Sequence, residues 1–492
     1  MLLTSILSVA LLLFTPAETR PLRTRQAATE GLISVPLRRV ERNPSLHPEI
    51  RHQIDLNHAT RIAARAAGLP NPPQHELLAN LHRRAEHIQA QRKRYSVLPA
   101  GFDGSVPEFS SGAGNQLVAA QSFQPASNTP AVLTNDSSEV DSDGADTSFV
   151  MILSIGSPSQ DYKVIVDSGS SVLWLKSGNH CVSQDNQGNP QGCGNHKFLD
   201  SSTSSSLISL NDPFNIVYGS GSASGSLVND TVVFGGILLS NYTFGLADKI
   251  SNSFASDAVA DGLMGTAKSV SSLARLRCTS SYECQGLVAS AVADPTKLPT
   301  PIEALVNSGT ISQGIASYAL PRLVDDPNGG EITFGGMDPS KFDASTAVTV
   351  KSSDTSAFWV AQMDGVTVNG ATISLSHSAA ILDTGTTIAV FPTADAAAIH
   401  AQIPGAVFSE ATGSGTIPCN TTASVAVQFG GKSFPIDAKD LLFASFGKKT
   451  GDCTSGIGGF NQTQALLGGT FLKSVYMSTN IDDNSITLAQ RI

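Results

Sequence analysis

The stretch VIVDSGSSVLWL, residues 164–175, places an aspartate at the end of a β-branched apolar run and surrounds it with glycine and serine. A buried ionised carboxylate is strongly disfavoured unless it is paired or richly hydrogen-bonded. Asp167 therefore marks either a supported functional acid or an ordinary turn at the end of a strand. This stretch alone does not decide between the two interpretations.

A second copy of the pattern occurs in the later part of the chain. Residues 380–387 read AILDTGTT, with apolar residues, Asp383, a hydroxyl residue, glycine and two further hydroxyl residues in the same order. Two carboxylates brought within a few ångströms cannot both ionise readily, so such a pair holds one shared proton over a useful pH range. The internal repeat therefore favours a pair of functional acids over two unrelated turns.

A carboxyl pair with one shared proton can supply a base and an acid to the same reaction. One carboxylate can take a proton from water while the other protonates a peptide carbonyl oxygen, without metal, cofactor or covalent intermediate. The neighbouring residues suit this chemistry, because Ser170 and Thr386 can hydrogen-bond the carboxylates while Gly169 and Gly385 allow close backbone approach. We therefore predict hydrolysis by an activated water, with no metal and no cofactor.

Further motifs follow in a fixed order along the chain. They are IVYGSGSASGSL at 216–227, ADGLMGTA at 260–267, GGEITFGGMDPSKF at 329–342 and ALLGGTFLKSVYMSTNIDDNSITLA at 465–489. With the two Asp-Ser/Thr-Gly motifs, they make residues 147–490 closely resemble the pepsin-like aspartic proteases. The resemblance implies a mostly β, bilobal fold, in which two β lobes related by a pseudo-twofold axis flank the active-site cleft, and it implies aspartic endopeptidase activity.

The same resemblance implies roles for individual residues. Asp167 and Asp383 would be catalytic, and Tyr218 would close over the substrate and hydrogen-bond toward Trp174. The implied supporting residues are Ser168, Gly169, Ser170, Thr384, Gly385 and Thr386. The implied flap and substrate-pocket residues are Tyr218, Gly219, Ser220, Trp174, Ile165, Phe254 and Leu263. For Ile165 and Leu263, a plain core role is the alternative.

Two features depart from the family pattern. Gly469 stands where the family commonly has an aspartate near the second catalytic residue, so deprotonation of the pair should be slightly easier and a strongly acidic optimum cannot be assumed. The segment RLRCTSSYECQGLVASAVADPTKLPT resembles an insertion after DGLMG. This insertion either shapes subsite preference or decorates the surface.

The composition is that of an ordinary globular protein, with 41% apolar and 15% charged residues, which excludes a fibrous or wholly disordered chain. Residues 2–14 form an apolar run too short to span a bilayer, followed by a small residue at Ala17, which is typical of a signal peptide. The carboxyl end lacks the apolar tail of a lipid-anchor signal. We expect a secreted monomer without a membrane anchor, extracellular or alternatively vacuolar.

Six cysteines without CxxC spacing favour disulfides over zinc or redox chemistry in a secretory setting. Fifteen pairings are formally possible. Short separations favour Cys181–Cys193 and Cys278–Cys284, which leaves Cys419–Cys453. The candidate N-glycosylation sites are Asn135, Asn229, Asn241, Asn420 and Asn461.

Charge is unevenly distributed along the chain. The first 100 residues carry 14 basic and 7 acidic residues and six of the ten histidines, whereas the remainder carries 17 basic and 34 acidic residues. A basic, helix-like segment beside an acidic body suggests an electrostatically docked propeptide, with a solvated basic helix as the alternative. Nucleic-acid binding is disfavoured because the body is so acidic.

These patterns predict five regions. They are a signal peptide at 1–17, a basic propeptide at 18–94, a linker or late propeptide at 95–145, an N-terminal lobe at 146–325 and a C-terminal lobe at 326–492. We call residues 18–94 the front segment and expect it to inhibit the enzyme until acid weakens its ion pairs and charges its histidines. In RKRY, either Lys93-Arg94 is a processing site or Arg94-Tyr95 plugs the cleft.

Other function classes fit the sequence poorly. There is no GxSxG elbow, HELLA lacks the second histidine of HExxH, and GSGSASG lacks the third glycine of a dinucleotide-binding loop. The serious rival is a catalytically silent pepsin-like protein that binds peptide or carbohydrate. Such proteins usually lose an aspartate, the flap tyrosine or the glycines, and all of these are present here.

Overall fold

The computed structural model describes residues 32–40, 48–66, 72–73, 76–77, 79–86, 148–178, 181–184, 190–218, 221–255, 259–269, 298–322, 330–353, 357–445 and 451–492. Strands dominate these residues and form sheets of 15, 8 and 4 strands, which confirms the mostly β class. Several predicted features lie outside the described residues. They are the signal peptide, the 95–145 linker, both readings of RKRY, the Cys278–Cys284 pair, Asn135, Gly219 and Ser220.

The largest sheet combines strands from both halves of the chain with one strand of the front segment. Its main path runs through β13 (Phe342–Lys351), β27 (Ser485–Arg491), β26 (Val475–Asn480), β11 (Ile315–Ala319), β12 (Gly330–Phe334), β1 (Ile33–Val40), β2 (Ser148–Ile155), β3 (Gln160–Asp167), β10 (Gly262–Gly265), β4 (Leu173–Lys176), β9 (Ile237–Ser251), β5 (Val182–Gln184) and β6 (Pro190–Gly192). Beside this path, β8 (Ser222–Phe234) pairs with β2, β9 and β7 (Ile208–Val217).

The two smaller sheets belong to the second half of the chain. The eight-stranded sheet runs through β14 (Val360–Gln362), β17 (Ala379–Leu382), β25 (Ala465–Leu467), β18 (Ala389–Pro392), β24 (Asp452–Phe460), β20 (Ser414–Pro418) and β19 (Val407–Ser409), with β23 (Leu442–Ser445) paired to β24. The four-stranded sheet contains β16 (Ala371–Ile373), β15 (Gly365–Val368), β21 (Val425–Phe429) and β22 (Lys432–Ile436).

Helices are few in the described part of the chain. The labelled ones are α1 (Pro48–Ala66), α2 (Asn252–Ala255), α3 (Pro301–Asn307), α4 (Thr393–Ala401) and α5 (Gly469–Leu472). Residues 79–86 of the front segment are also helical. Over the residues that the structure describes, no helix has both the length and the apolar character needed to cross a membrane.

One strand arrangement occurs twice and carries the two aspartates. In the first half, β10 pairs parallel with β3 and antiparallel with β4. In the second half, β25 pairs parallel with β17 and antiparallel with β18. Asp167 is the last residue of β3, and Asp383 directly follows β17. The repeated sequence motif therefore corresponds to a repeated topology, as the bilobal fold requires.

The central strands of both arrangements end where only glycine fits. A Cβ atom on Gly265 would lie 2.5 Å from the carbonyl oxygen of Ser170, and one on Gly468 would lie 2.3 Å from the carbonyl oxygen of Thr386. Real Cβ atoms do not approach backbone atoms this closely, so these glycines let each loop fold back over its neighbouring strand. In both halves this close approach holds the residue three positions after the aspartate.

The front segment contributes a strand to the interior of the largest sheet. β1 pairs antiparallel with β12 on one side and with β2 on the other. Its alternate side chains Ile33, Val35 and Leu37 are buried in the core. The alternating apolar residues of ISVPL suit a half-buried strand, so this part of the front segment docks by apolar burial in addition to the expected electrostatic contacts.

α1 packs against the second half of the molecule. Leu56, Ala59 and Ile62 are buried in an apolar cluster that includes Phe358 and Ile388. The helical residues 79–86 are tied to α1 by a buried ion pair, in which Arg84 Nη1 lies 3.3 Å from Glu49 Oε2. Apolar burial and ion pairing therefore both hold the front segment in place.

Two disulfides are present in the described residues. Cys181 is bonded to Cys193 and Cys419 to Cys453, with Cα separations of 5.7 and 5.0 Å. Among the described sequons, Asn241, Asn420 and Asn461 are exposed. Asn229 is half-buried, and its Oδ1 accepts a hydrogen bond from Thr243 Oγ1.

Candidate active site

The structure brings the two aspartates together, each facing the glycine of the other motif. A Cβ atom on Gly169 would lie 2.8 Å from Asp383 Oδ1, and one on Gly385 would lie 2.5 Å from Asp167 Oδ1. Asp167 is 6% exposed and Asp383 is fully buried. The absence of side chains at both glycines therefore lets two carboxyl groups share one small space.

Asp167 accepts hydrogen bonds from residues of the first half. Gly169 N donates to Oδ1 at 2.9 Å, and Ser170 Oγ donates to Oδ2 at 2.5 Å. The hydroxyl of Tyr218 accepts a bond from Trp174 Nε1 at 2.7 Å. Burial, aided by the charge of Asp167, raises the pKa of Tyr218, so its phenol stays protonated. Asp167 therefore accepts two hydrogen bonds from its own loop, and the hydrogen-bonded pair of Trp174 and Tyr218 lies within reach of its charge.

Asp383 has matching donors but a strongly perturbed acidity. Gly385 N donates to Oδ1 at 2.8 Å, and Thr386 Oγ1 donates to Oδ2 at 2.6 Å. Burial and then the negative charge of Asp167 raise the pKa of Asp383, against the opposing effect of these two hydrogen bonds. Protonation of the Asp383 carboxyl group is therefore favoured. Gly469, which replaces the common aspartate, donates its backbone N–H to the Thr386 carbonyl at 2.8 Å.

The hydroxyl residues after each aspartate lock the two loops together. Ser168 N donates to Thr384 Oγ1 at 3.0 Å, and Thr384 N donates to Ser168 Oγ at 2.9 Å. Each hydroxyl then donates across to the other half, Ser168 to the carbonyl of Leu382 at 3.1 Å and Thr384 to that of Val166 at 2.8 Å. Four reciprocal bonds among buried groups hold the aspartates in register.

An aromatic cluster lies beside Asp167. The ring of Phe254 meets those of Trp174 and Tyr218 edge-on, with centroids 5.3 Å apart in both cases. Ile165 and Leu263 are paired in register between β3 and β10, and both are buried in the same apolar cluster. The residues predicted to line the substrate pocket are thus contiguous, with Phe254 in direct contact with the tyrosine predicted to form the flap.

Thr266 supports Asp167 from behind and was not singled out from the sequence. Its N–H donates to the Asp167 carbonyl at 2.8 Å. Its own hydroxyl accepts a bond from Tyr318 OH at 2.8 Å, and its carbonyl accepts one from Trp359 Nε1 at 3.4 Å. These partners are distant in sequence, so only the ADGLMGTA motif itself signals that Thr266 lies near the site.

The front segment lies directly over the paired aspartates. His58 of α1 is buried, with Nε2 4.0 Å from Asp383 Oδ2. At the end of α1, Arg65 Nη1 donates to the carbonyl of Val217 at 2.6 Å, and its guanidinium lies 5.8 Å from the centre of the Phe358 ring. α1 therefore spans from the strand that leads into the predicted flap to the second half. No pattern in the sequence distinguishes His58 from the other histidines of the front segment.

The family model of eukaryotic aspartyl proteases matches residues 148–491. The chain belongs to this family. It is 31% identical to the major aspartyl peptidase 1 of Cryptococcus neoformans over 71% of this chain and 70% of that protein. It is 29% identical to the aspartic-type endopeptidase ctsD of Aspergillus fumigatus over 73% of this chain and 69% of that protein.

The similarity extends to a vertebrate member of the aspartyl protease family. The chain is 30% identical to pepsin A of Rhinolophus ferrumequinum over 70% of this chain and 81% of that protein. Among the curated relatives, the share covered falls as low as 62% for a Trichophyton verrucosum endopeptidase. Family membership confirms the pepsin-like resemblance and makes the protein an aspartic-type endopeptidase with peptide substrates.

Proposed function

We propose that Asp167 and Asp383 are the catalytic residues of this aspartic endopeptidase and activate one water molecule between them. The observation that carries the proposal is the matched support of two adjoining carboxyl groups, together with the raised pKa of Asp383 beside the charge of Asp167. We assign the roles from the raised pKa of Asp383. Asp383 holds the proton, and Asp167 acts as the base.

The reaction balances with a single shared proton. Asp167 accepts a proton from the water while the water oxygen forms a bond to the scissile carbonyl carbon. Asp383 gives its proton to the carbonyl oxygen. When the tetrahedral intermediate collapses, the C–N bond breaks, and the amine leaves with the proton that Asp167 took from the water. A hydroxyl of the intermediate gives its proton to Asp383 as the new carboxyl group forms, so the pair again holds one proton. Tyr218, at the end of β7, would close over the peptide and exclude bulk water.

We propose that the substrate is an extended peptide with hydrophobic residues on both sides of the cut. The aromatic cluster of Trp174, Tyr218 and Phe254 offers an apolar wall on the side of Asp167. The apolar cluster that contains Phe358 and Ile388 offers the opposite wall. Residues 146–325 and 326–492 would then form the two lobes of a monomer, with Gly219 and Ser220 completing the flap.

We also propose that the chain is the precursor of a secreted enzyme and that the front segment inhibits it. The burial of α1 over the aspartates and the position of His58 beside Asp383 support inhibition by steric exclusion of substrate. A signal peptide at 1–17, glycans at the predicted sequons and the disulfides fit an extracellular or vacuolar destination. Cleavage at Lys93-Arg94, at the end of the front segment, would begin maturation.

The dyad is tested by cleavage of denatured haemoglobin or casein between about pH 2.5 and 7. The acid-treated full chain is compared with its Asp383→Asn variant, with and without pepstatin. Activity that is lost in the variant and blocked by the inhibitor is expected. If a correctly processed chain binds peptides but cleaves none of them, the silent binding alternative replaces the proposal.

Inhibition by the front segment is tested separately by following activity against time after transfer from neutral to acidic pH. A lag that shortens as the pH falls is expected, together with cleavage in or after the front segment. Full activity at neutral pH with residues 18–94 still attached would contradict inhibition without affecting the assignment of the aspartates.

A further inference from the structure

Lys176 is a buried lysine at the end of β4, close to the aromatic cluster beside Asp167. Its side chain lies on the same face of the strand as that of Trp174, because residues two positions apart in a strand share a face. Lys176 is only 1% exposed. A buried ammonium group is costly unless it is paired or hydrogen-bonded, and a hydrocarbon side chain would fill the same space at lower cost. The bonds of this ammonium group therefore indicate what it does there.

The ammonium group of Lys176 holds the segment that carries Phe254. Its Nζ donates to the carbonyl of Phe254 at 3.0 Å and to the carbonyl of Ala260 at 2.8 Å. Phe254 lies in the last turn of α2, where carbonyl groups lack partners within the helix and a lysine side chain can supply one. Lys176 thus connects the chain on both sides of residues 256–258.

The far side of this connection is anchored in the first half by Asp261. Its buried carboxylate accepts bonds from the backbone N–H groups of Lys163 and Lys197, both at 2.9 Å. The Asp261 carbonyl also accepts the backbone N–H of Lys176 at 3.1 Å. Lys176 therefore ties Phe254 to a part of the chain that is itself held in place.

The position of Phe254 decides the shape of the aromatic cluster. Its side chain is 5% exposed, and its ring meets those of Trp174 and Tyr218 edge-on, with centroids 5.3 Å apart in both cases. Edge-on contacts depend on how the rings are placed relative to each other. A helix of four residues is too short to be stable by itself, so α2 depends on tertiary bonds for its position.

We propose that Lys176 is a positioning residue for substrate selection. It fixes Phe254 in the wall of the pocket and so sets the preference for a large hydrophobic side chain at one position of the peptide. The inference rests on the proposed function, because it assumes that the aromatic cluster lines the substrate pocket. In this assignment, Lys176 acts on the substrate through Phe254.

The test compares kcat/KM for pairs of peptides that carry phenylalanine or alanine at one position, with the position moved along both sides of the cut. The full chain is used at the acidic pH where it is most active. Both peptides of a pair meet the same preparation, so a variant that folds poorly lowers both values and leaves their ratio unchanged. The position that Phe254 serves is the one where Phe254→Ala lowers the phenylalanine-to-alanine ratio, by about tenfold or more.

At that position, Lys176→Met should lower the ratio about fivefold, because a hydrocarbon chain of similar length leaves both carbonyls without their donor. Lys176→Gln keeps a shorter donor and should lower the ratio less, and it carries the test if Lys176→Met does not fold. In the double variant with Phe254→Ala, the ratio should equal that of Phe254→Ala alone, because the lysine then has no ring to position.

The matched control is Lys268→Met. Lys268 is also 1% exposed and follows β10 in the first half. Its Nζ donates to side chains of the second half, to Ser352 Oγ at 3.2 Å and to Asn484 Oδ1 at 2.9 Å. The control thus removes a buried ammonium group with two hydrogen bonds outside the aromatic cluster. It should lower Tm and keep the wild-type ratio at every position.

Several results would overturn the inference. They are an unchanged ratio in the folded Lys176 variants, an equal fall in Lys268→Met, a further fall in the double variant beyond Phe254→Ala, and a Phe254→Ala variant that changes the ratio at no position. Absence of any cleavage that Asp383→Asn abolishes would instead refute the proposed function.

Discussion

The two halves of the active site share a backbone plan and differ in what covers them. Asp167 and Asp383 end equivalent strands and accept equivalent bonds from a glycine N–H and a hydroxyl. Yet the first half places the hydrogen-bonded Trp174 and Tyr218 near Asp167, whereas Asp383 lies 4.0 Å from His58 of α1. The comparison teaches that the repeated topology supports both carboxyl groups alike, while the front segment covers the second half more than the first.

The asymmetry begins with the packing of α1. Leu56 and Ile62 bury their side chains against apolar residues of the second half. A polar bond from Arg65 to the carbonyl of Val217 joins α1 to the flap strand. Release of the front segment should therefore expose more apolar surface on the side of Asp383 than on the side of Asp167.

The largest expected effect tests the equivalence of the two aspartates. Asp167→Asn and Asp383→Asn should each lower kcat/KM by about 10²–10⁴-fold, because either change removes a group that the reaction uses as base or acid. Both are measured with one peptide substrate over the active pH range. If one variant kept nearly wild-type activity, the halves would not be chemically equivalent.

The glycines that follow the central strands provide a structural test of the same equivalence. Gly265→Ala and Gly468→Ala should each lower the free energy of unfolding by about 1–3 kcal/mol, because each new Cβ would overlap a backbone carbonyl. Thermal unfolding of the full chain measures this, with Gly192→Ala as the control. A loss in only one of the two variants would show that the repeat is less strict than the topology suggests.

We expect the pH dependence of front-segment release to come from the second half of the molecule, which α1 covers. His52 Nε2 donates to the carbonyl of Ser455 at 3.1 Å, and its ring packs edge-on against Phe443. Burial, followed by the charges of Arg84 and His400, lowers the pKa of His52 to about 3. The docked form therefore holds His52 neutral. A released histidine takes up a proton below about pH 6.5.

The direction of the pH effect follows from the difference in pKa between docked and released His52. Above about pH 6.5, His52 is neutral in both the docked and the released front segment, so it does not oppose docking. Between about pH 6.5 and about pH 3, the equilibrium constant for docking falls about tenfold for each pH unit. His52→Gln keeps a donor for the Ser455 carbonyl but does not titrate. Activation rates of this variant should rise less steeply as pH falls. The exposed His377→Gln is the control, and an identical slope in His52→Gln would assign the sensor elsewhere.

The smallest effect concerns the contact of α1 with the first half. Arg65→Ala removes a bond to Val217 from an exposed side chain, so activation should become faster by only a few-fold. The rate of activation at fixed pH measures this, beside the distant, exposed control Lys432→Ala. A change as large as that of His52→Gln would mean that the flap side, and not the second half, governs release.

Much of the fold could be predicted because its signals are local. The repeated Asp-Ser/Thr-Gly motif follows an apolar run in both halves, and a segment with an apolar-apolar-Gly pattern comes later in each half. These motifs predict the mostly β, pepsin-like class that the structure and the family confirm. The hydroxyls of Ser170 and Thr386 reach the carboxylates because they stand three residues after each aspartate, where the turn brings them back.

Other features depended on contacts between distant parts of the chain. His58 reaches Asp383 because α1 docks in one orientation, and helical periodicity alone does not choose it. Thr266 meets Tyr318 and Trp359 through sheet pairing and lobe packing that no short motif records. The charge asymmetry of the front segment indicates ion pairs. It gives no indication of the strand that the alternating apolar residues of β1 form.

The position of β1 has a consequence for making the protein. A polypeptide that began at the predicted first lobe, near residue 146, would lack the strand between β2 and β12 and would leave two unpaired edges in the middle of the largest sheet. Exposed strand edges template pairing with other chains. Such a polypeptide should refold into aggregates unless residues 33–40 are supplied, and β1 would then assist folding as an intramolecular chaperone.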